Sequence, residues 1–221
     1  MKLTSKRFFS MVVVLSVASL AMVNLRSNIH GKVVCFGDSI THGAHVDGHS
    51  WVYFLEKDHG STADFINAGR NGRKTSDKLE LLPVLKKNPN ANYYLIFLGV
   101  NDLKNGTEAM VNDCVKNMKW MIAQIQKTDP KAKIVILAPS NINLKTMAQY
   151  NVRKKYNENT QKSLYELEKR YKELAKEDHL GFISLLHTVS PPNYVDGLHP
   201  TIKGQKQIAA KVWEGLNKLY N

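Results

Sequence analysis

Five short runs rich in β-branched and aromatic residues recur along the chain, at Lys32–Phe36, Asp64–Ile66, Tyr93–Leu98, Lys133–Leu137 and Gly181–Leu185. Each has the length of a strand buried on both faces. Between them the apolar positions switch to helical spacing. Trp51, Phe54 and Leu55 mark a first helix, Leu79, Leu82 and Leu85 a second, and Val111, Cys114, Met118, Met121 and Ile125 a third. Tyr156, Thr160, Leu164, Leu167, Tyr171 and Leu174 mark a fourth. Ile202, Ile208, Ala209, Val212, Leu216 and Leu219 mark a last one, which Thr201 can cap. Strand alternating with helix predicts an α/β fold with a parallel sheet covered on both faces. Right-handed crossovers then bring the carboxyl ends of the strands to one edge, where such sheets bind ligands.

An apolar run of another kind opens the chain. From Phe8 to Val23 only Ser10, Ser16 and Ser19 are polar, and Lys2, Lys6 and Arg7 precede it. A basic segment followed by an apolar one is the layout of a secretory signal peptide. The run has 16 residues, short of the ~20 that a membrane span needs. Ser19-Leu20-Ala21 supplies small residues for cleavage. Residues 1–24 are therefore expected to be a signal peptide, with an uncleaved anchor as the alternative, and residues 25–221 a single domain. This reading makes the protein an exported one, periplasmic or secreted, touching a membrane only through that first segment if it is retained.

Charge and cysteine change the picture little. The formal charge is +12, and removing Lys2, Lys6 and Arg7 leaves +9, since residues 1–21 hold no acid. Much of the excess lies between Arg153 and Lys176, interleaved with Glu158, Glu166, Glu168 and Glu173, the pattern of a solvated helix face. A basic surface favours an anionic envelope or acidic polysaccharides. No recognition motif accompanies it, so nucleic acid is not the expected partner. Cys35 falls in a strand and Cys114 on a buried helix stripe. Two separate buried thiols are expected rather than a disulfide.

The chemistry lies at the strand ends. Gly37-Asp38-Ser39-Ile40 follows the first strand, Asn71-Gly72 the second and Gly99-Val100-Asn101-Asp102 the third, while Asp196-Gly197-Leu198-His199 stands near the end of the chain. A serine hydroxyl needs a neighbouring base to take its proton. His199 can serve for Ser39, and Asp196, three residues earlier, can hold the other ring nitrogen. The oxyanion formed on an attacked carbonyl needs donors already in place. The Ser39 N–H, the Gly72 N–H and the Asn101 side-chain amide can converge on it. Glycine suits position 72 because a backbone donor approaching a ligand closely leaves no room for a Cβ. The remaining histidines read as surface or internally satisfied residues, with His42 and His45, near Ser39 in sequence, as alternative candidates to line the site. An α/β-hydrolase elbow is excluded, since it requires Gly-x-Ser-x-Gly and Gly37-Asp38-Ser39-Ile40-Thr41 does not supply it.

These four segments, in this order, resemble the blocks of the SGNH hydrolases, also called GDSL esterases and lipases. The resemblance spans roughly residues 32 to 219 and is closest to the small arylesterase and acetylesterase branch. Val100 departs from it, standing where many members carry threonine. The resemblance implies a flavodoxin-like three-layer α/β/α sandwich with a five-stranded parallel sheet. It implies a Ser39–His199–Asp196 triad with oxyanion donors Ser39, Gly72 and Asn101, and no metal or cofactor. Gly69 is the alternative to Gly72 within the second block. The expected substrate is a small-molecule or glycan ester of a short acyl group, acetyl above all. Two readings compete: a lysophospholipase or acyl thioesterase, with Leu79, Leu81, Leu82 and Met147 as candidate groove residues, and a noncatalytic exported glycan-binding protein. The irregular stretch Pro139–Met147, at a strand's carboxyl end, is expected to shape substrate access.

Overall fold

The computed structural model describes residues 28–221. The segment read as a signal peptide or anchor, 1–24, lies outside the described residues. Five parallel strands, β1 (Gly31–Gly37), β2 (Ala63–Gly69), β3 (Tyr93–Phe97), β4 (Lys133–Ala138) and β5 (Gly181–Ser184), form one sheet in the order β2-β1-β3-β4-β5. All five sequence-derived strands are present, with ends displaced by up to three residues. In this order the direction of winding reverses between β1 and β3, and ligands bind at the carboxyl ends flanking such a switch. Ser39 follows β1 and Asn101 follows β3.

The helices are α1 (Ser39–His42), α2 (Trp51–His59), α3 (Leu81–Lys87), α4 (Glu108–Thr128), α5 (Gln149–Arg153), α6 (Glu158–Glu177) and α7 (Ile202–Tyr220). Alternate residues of each strand feed two cores. Val34, Phe36, Tyr94, Ile96 and Ile136 pack with α3, α4 and α6 on one face. Val33, Cys35, Leu95, Phe97 and Leu137 pack with α2 and α7 on the other. Both faces being covered explains why these strands read as continuous apolar runs. The stripes of α4 and α6 are buried throughout, as is Tyr156 just before α6. Cys35 and Cys114 are separate buried thiols, one in each core, and burial pushes both well up from their ordinary pKa.

Two stripes differ from their sequence reading. Leu85 is buried as expected, but Leu79 and Leu82 are exposed and Leu81 fills the core instead. A 3-10 turn over Thr75–Glu80, kinked at Asp77, precedes α3. Three residues per turn there break the 3.6-residue phase assumed across the segment. In α7 the central Ile208, Ala209, Val212 and Leu216 are buried, whereas Ile202 and Leu219, at its two ends, are exposed. The Thr201 hydroxyl caps this helix by accepting from Gly204 N–H. Among the described residues, no helix is long and apolar enough to cross a membrane.

Candidate active site

Ser39 opens the short helix α1, where Asp38 is the N-cap and accepts from Ile40 N–H at 2.9 Å. As a first-turn residue, Ser39 has a backbone N–H with no partner inside the helix. The turn is held from behind by Gln205 of α7, which donates to Ile40 C=O at 3.1 Å and accepts from Trp51 N–H at 2.9 Å. Trp51 Nε1–H in turn donates to the Thr41 hydroxyl at 3.2 Å. The nucleophile candidate is thus fixed to both helices of one layer.

The chain ends meet here. Ser39 Oγ lies 3.0 Å from His199 Nε2, and His199 Nδ1 lies 2.9 Å from Asp196 Oδ2. An ionised carboxylate can only accept, so the ring proton sits on Nδ1 and Nε2 is left to accept from the serine hydroxyl. The Asp196 carboxylate also accepts from Leu198 N–H, His199 N–H, Asn151 Nδ2–H and the Tyr150 hydroxyl. Burial alone would raise its pKa. The hydrogen bonds from His199 and Tyr150 outweigh burial and hold it well below the usual carboxylate range.

Asn101, after β3, completes the constellation. Its Nδ2 donates to Arg73 C=O at 3.2 Å and points at Asp38 Oδ2, 3.5 Å away. The second of these is so long that one amide hydrogen stays available. Tyr156 Oη–H donates to Asn101 Oδ1 at 2.7 Å and so fixes which way the amide faces. The contact with Arg73 also sets the turn Arg70–Arg73 beside Asn101. That turn is closed by Arg73 N–H donating to Arg70 C=O, and its third residue, Gly72, has φ +74°.

The reason for glycine at 72 therefore differs from the sequence argument. A Cβ there would meet nothing within 4 Å, and it is the positive φ of the turn that excludes other residues. Gly69 is built differently. Its N–H is taken by Asn67 Oδ1 at 2.9 Å, and a Cβ on it would strike the His42 backbone. Gly72 N–H has no hydrogen-bond partner among the described residues.

The segment after β4 does more than border the site. Asn143 N–H donates to Gly197 C=O at 2.7 Å and Ala148 N–H to Asp196 C=O at 3.0 Å. The backbones approach so closely that a Cβ on Gly197 (φ +80°) would lie 2.6 Å from Asn143 O. From this clamp α5 delivers Tyr150 and Asn151 to Asp196. The same loop borders a groove of about 630 Å³ lined in part by Asn141, Asn143, Gln161, His187 and Tyr194.

Sequence reasoning missed Tyr150, Asn151 and the hydroxyl role of Tyr156, and it favoured a surface reading of His45 over its alternative of lining the site. His45 is exposed, but its ring centre lies 4.6 Å from that of His199. Among the described residues, His45, Asp196 and His199 form the single grouping able to hold a metal, with ligand atoms within 4.8 Å of one another. Two of the three are already joined to Ser39, so an ion bound there would compete with the hydrogen-bonded chain.

Comparison with known proteins identifies the family and the fold. Residues 35–207 match the model of the GDSL-like lipase/acylhydrolase family. The fold is shared with a carbohydrate acetylesterase family member from Sinorhizobium meliloti, at TM-score 0.72 and 20% identity over 86% of this chain and 99% of that one. It is shared equally with an aryl esterase of M. smegmatis, at TM-score 0.72 and 21% identity over 86% and 99%. A G-D-S-L family lipolytic protein from Veillonella parvula matches at TM-score 0.65 and 19% identity over 83% and 97%. No curated protein matches the sequence. The chain belongs to the GDSL-like lipase/acylhydrolase family, the SGNH hydrolases, and is a carboxylic-ester hydrolase.

Proposed function

We propose that the protein releases short acyl groups, acetyl above all, from small-molecule or carbohydrate O-esters, through Ser39, His199 and Asp196. The observation that carries this reading is the continuous chain Ser39 Oγ–His199 Nε2 at 3.0 Å and His199 Nδ1–Asp196 Oδ2 at 2.9 Å. Ser39 Oγ attacks the ester carbonyl carbon as Nε2 takes its proton, and Asp196 stabilises the imidazolium that results. The oxyanion accepts from Ser39 N–H, Gly72 N–H and Asn101 Nδ2–H. The carbonyl re-forms, the ester C–O bond breaks, and Nε2 returns the proton to the departing alcohol. Water, deprotonated by His199, then attacks the acyl-Ser39 ester and releases the acid.

Acetyl as the acyl group, and a sugar as the alcohol, draw support from proteins that share the fold, one described as a carbohydrate acetylesterase and one as an aryl esterase. Export is proposed from the pattern of residues 1–24 alone. The test is hydrolysis of p-nitrophenyl esters from acetate to laurate by residues 25–221, beside Ser39→Ala. Turnover that falls with chain length and vanishes in the variant is the expected result. A preference for laurate would move the substrate to lipids. Equal rates for the two proteins would discard the triad.

A further inference from the structure

The three loops that build the site each carry a lysine next to it. Lys74 stands two residues beyond Gly72, Lys104 three beyond Asn101, and Lys154 four beyond Tyr150. Contacts place Lys104 and Lys154 against tyrosines that hold the site, and the charge of Lys74 acts on Lys104. Lys104 Nζ lies 5.5 Å from the centre of the Tyr156 ring, whose hydroxyl holds Asn101. Lys154 Nζ lies 5.6 Å from the centre of the Tyr150 ring, whose hydroxyl holds Asp196. The loops touch directly where Asn105 N–H donates to Lys155 C=O at 2.7 Å.

None of the three lysines forms an ion pair among the described residues. The nearby acids are engaged elsewhere: Asp77 and Glu80 by Arg70 and Arg73, and Asp102 by the Thr75 N–H and hydroxyl. The Lys104 ammonium is pushed below its ordinary pKa, first by burial and then by the charges of Lys74 and Lys154, with Asp102 opposing. Like charges brought together unpaired at the edge of a catalytic centre cost stability, and a substrate anion relieves that cost.

We propose that Lys74, Lys104 and Lys154 form a subsite for a carboxylate or phosphate borne on the alcohol portion of the ester. This deepens the short-acyl reading above and rests on it. The acyl group enters beneath the oxyanion donors, while the acidic alcohol portion lies against the lysines. Water cleaves the ester as before, and the anion takes no part in bond making.

The test compares three aryl acetates: 4-acetoxybenzoate, 4-acetoxyphenyl phosphate and the uncharged methyl 4-acetoxybenzoate. The wild type is set beside the triple variant Lys74→Gln, Lys104→Gln, Lys154→Gln. The expected result is that kcat/KM for an anionic ester, divided by that for the neutral one, falls about tenfold in the variant, with the wild-type ratio falling as salt is raised. A larger fall for the phosphate assigns the natural anion to a phosphate, and a larger fall for the benzoate to a carboxylate. A ratio that is the same in both proteins overturns the subsite. The neutral ester reports the Ser39 chemistry alone. Inactivity on all three esters would therefore overturn the esterase reading itself, whereas activity without anionic preference overturns only the subsite.

Discussion

Two buried aspartates flank the same serine and experience opposite surroundings. Asp196 and Asp38 are 5% and 1% exposed, so burial acts against both charges. Around Asp196 the donors are dense: two backbone N–H groups, the His199 ring, the Asn151 amide and the Tyr150 hydroxyl. Asp38 has the Ile40 N–H and, at 3.5 Å, the Asn101 amide. Burial consequently dominates at Asp38, whose pKa is pushed up from 3.8 to about 7 despite lowering contributions from Ile40 N–H, His199 and Arg73. Burial by itself does not decide whether a carboxylate stays ionised; the donors that replace water do. The site thus holds one carboxylate kept charged to orient an imidazole. It holds a second whose charge would compete with an oxyanion for Asn101.

The comparison breaks most visibly by replacing each acid with its amide. Asp196→Asn puts an N–H donor where His199 Nδ1–H needs an acceptor, and Asn151 and Tyr150 then face a donor too. On p-nitrophenyl acetate kcat is expected to fall about 10⁴-fold, the scale seen when a triad acid is replaced by its amide. Asp38→Asn keeps an oxygen for Ile40 N–H and is expected to change kcat by less than about tenfold. Comparable losses in the two variants would show that Asp38 acts in its charged form.

A smaller effect sharpens the account of Asp196. Tyr150→Phe removes one donor among several, so kcat is expected to fall only a few-fold, about threefold, with KM unchanged. The lost donor also lets the Asp196 pKa rise toward its ordinary value. An acid whose folded pKa is depressed stabilises the fold above its unfolded pKa and loses that stabilisation as pH falls through the folded one. The variant should therefore lose less stability than wild type between about pH 4 and pH 2, read as the shift of the urea midpoint. Equal acid sensitivity would show that Asn151 and the backbone hold the carboxylate without Tyr150.

What was legible in the sequence divides along similar lines. The strands, the two-core packing, the placing of Ser39, Gly72 and Asn101 after strands, and the pairing of Asp196 with His199 follow from apolar runs and short local motifs. Tyr150, Asn151 and Tyr156 carry no such signal. Their partners lie 46, 45 and 55 residues away, and a tyrosine on a helical stripe reads as core. The loop after β4 reads in the sequence as shaping substrate access, but its clamp on the Asp196–Gly197 backbone through Asn143 and Ala148 is a tertiary contact with no local signal. Likewise His45 meets the His199 ring only because the chain's two ends converge. The phase error at Leu79 and Leu82 has a local cause, since a 3-10 turn running into an α-helix leaves no periodicity to read.

The finest probe of the two aspartates is thermal. With a pKa of about 7 in the fold and 3.8 when free, Asp38 costs nothing below about pH 4, where both states hold the proton. As pH rises from there the unfolded chain releases the proton while the folded one keeps it, so stability declines. The decline is complete above about pH 7, at a cost on the order of 4 kcal/mol. Asp38→Asn abolishes this difference while retaining a capping oxygen. It should melt about 10 °C above wild type at pH 8, and the gap should narrow to roughly a third of that at pH 5 and close near pH 4. A wild-type melting temperature that stayed level from pH 5 to pH 8, or a variant less stable throughout, would mean that Arg73 and His199 compensate the Asp38 charge after all. Their attraction would then outweigh burial, and the contrast with Asp196 would reduce to a difference in donor number without consequence for ionisation.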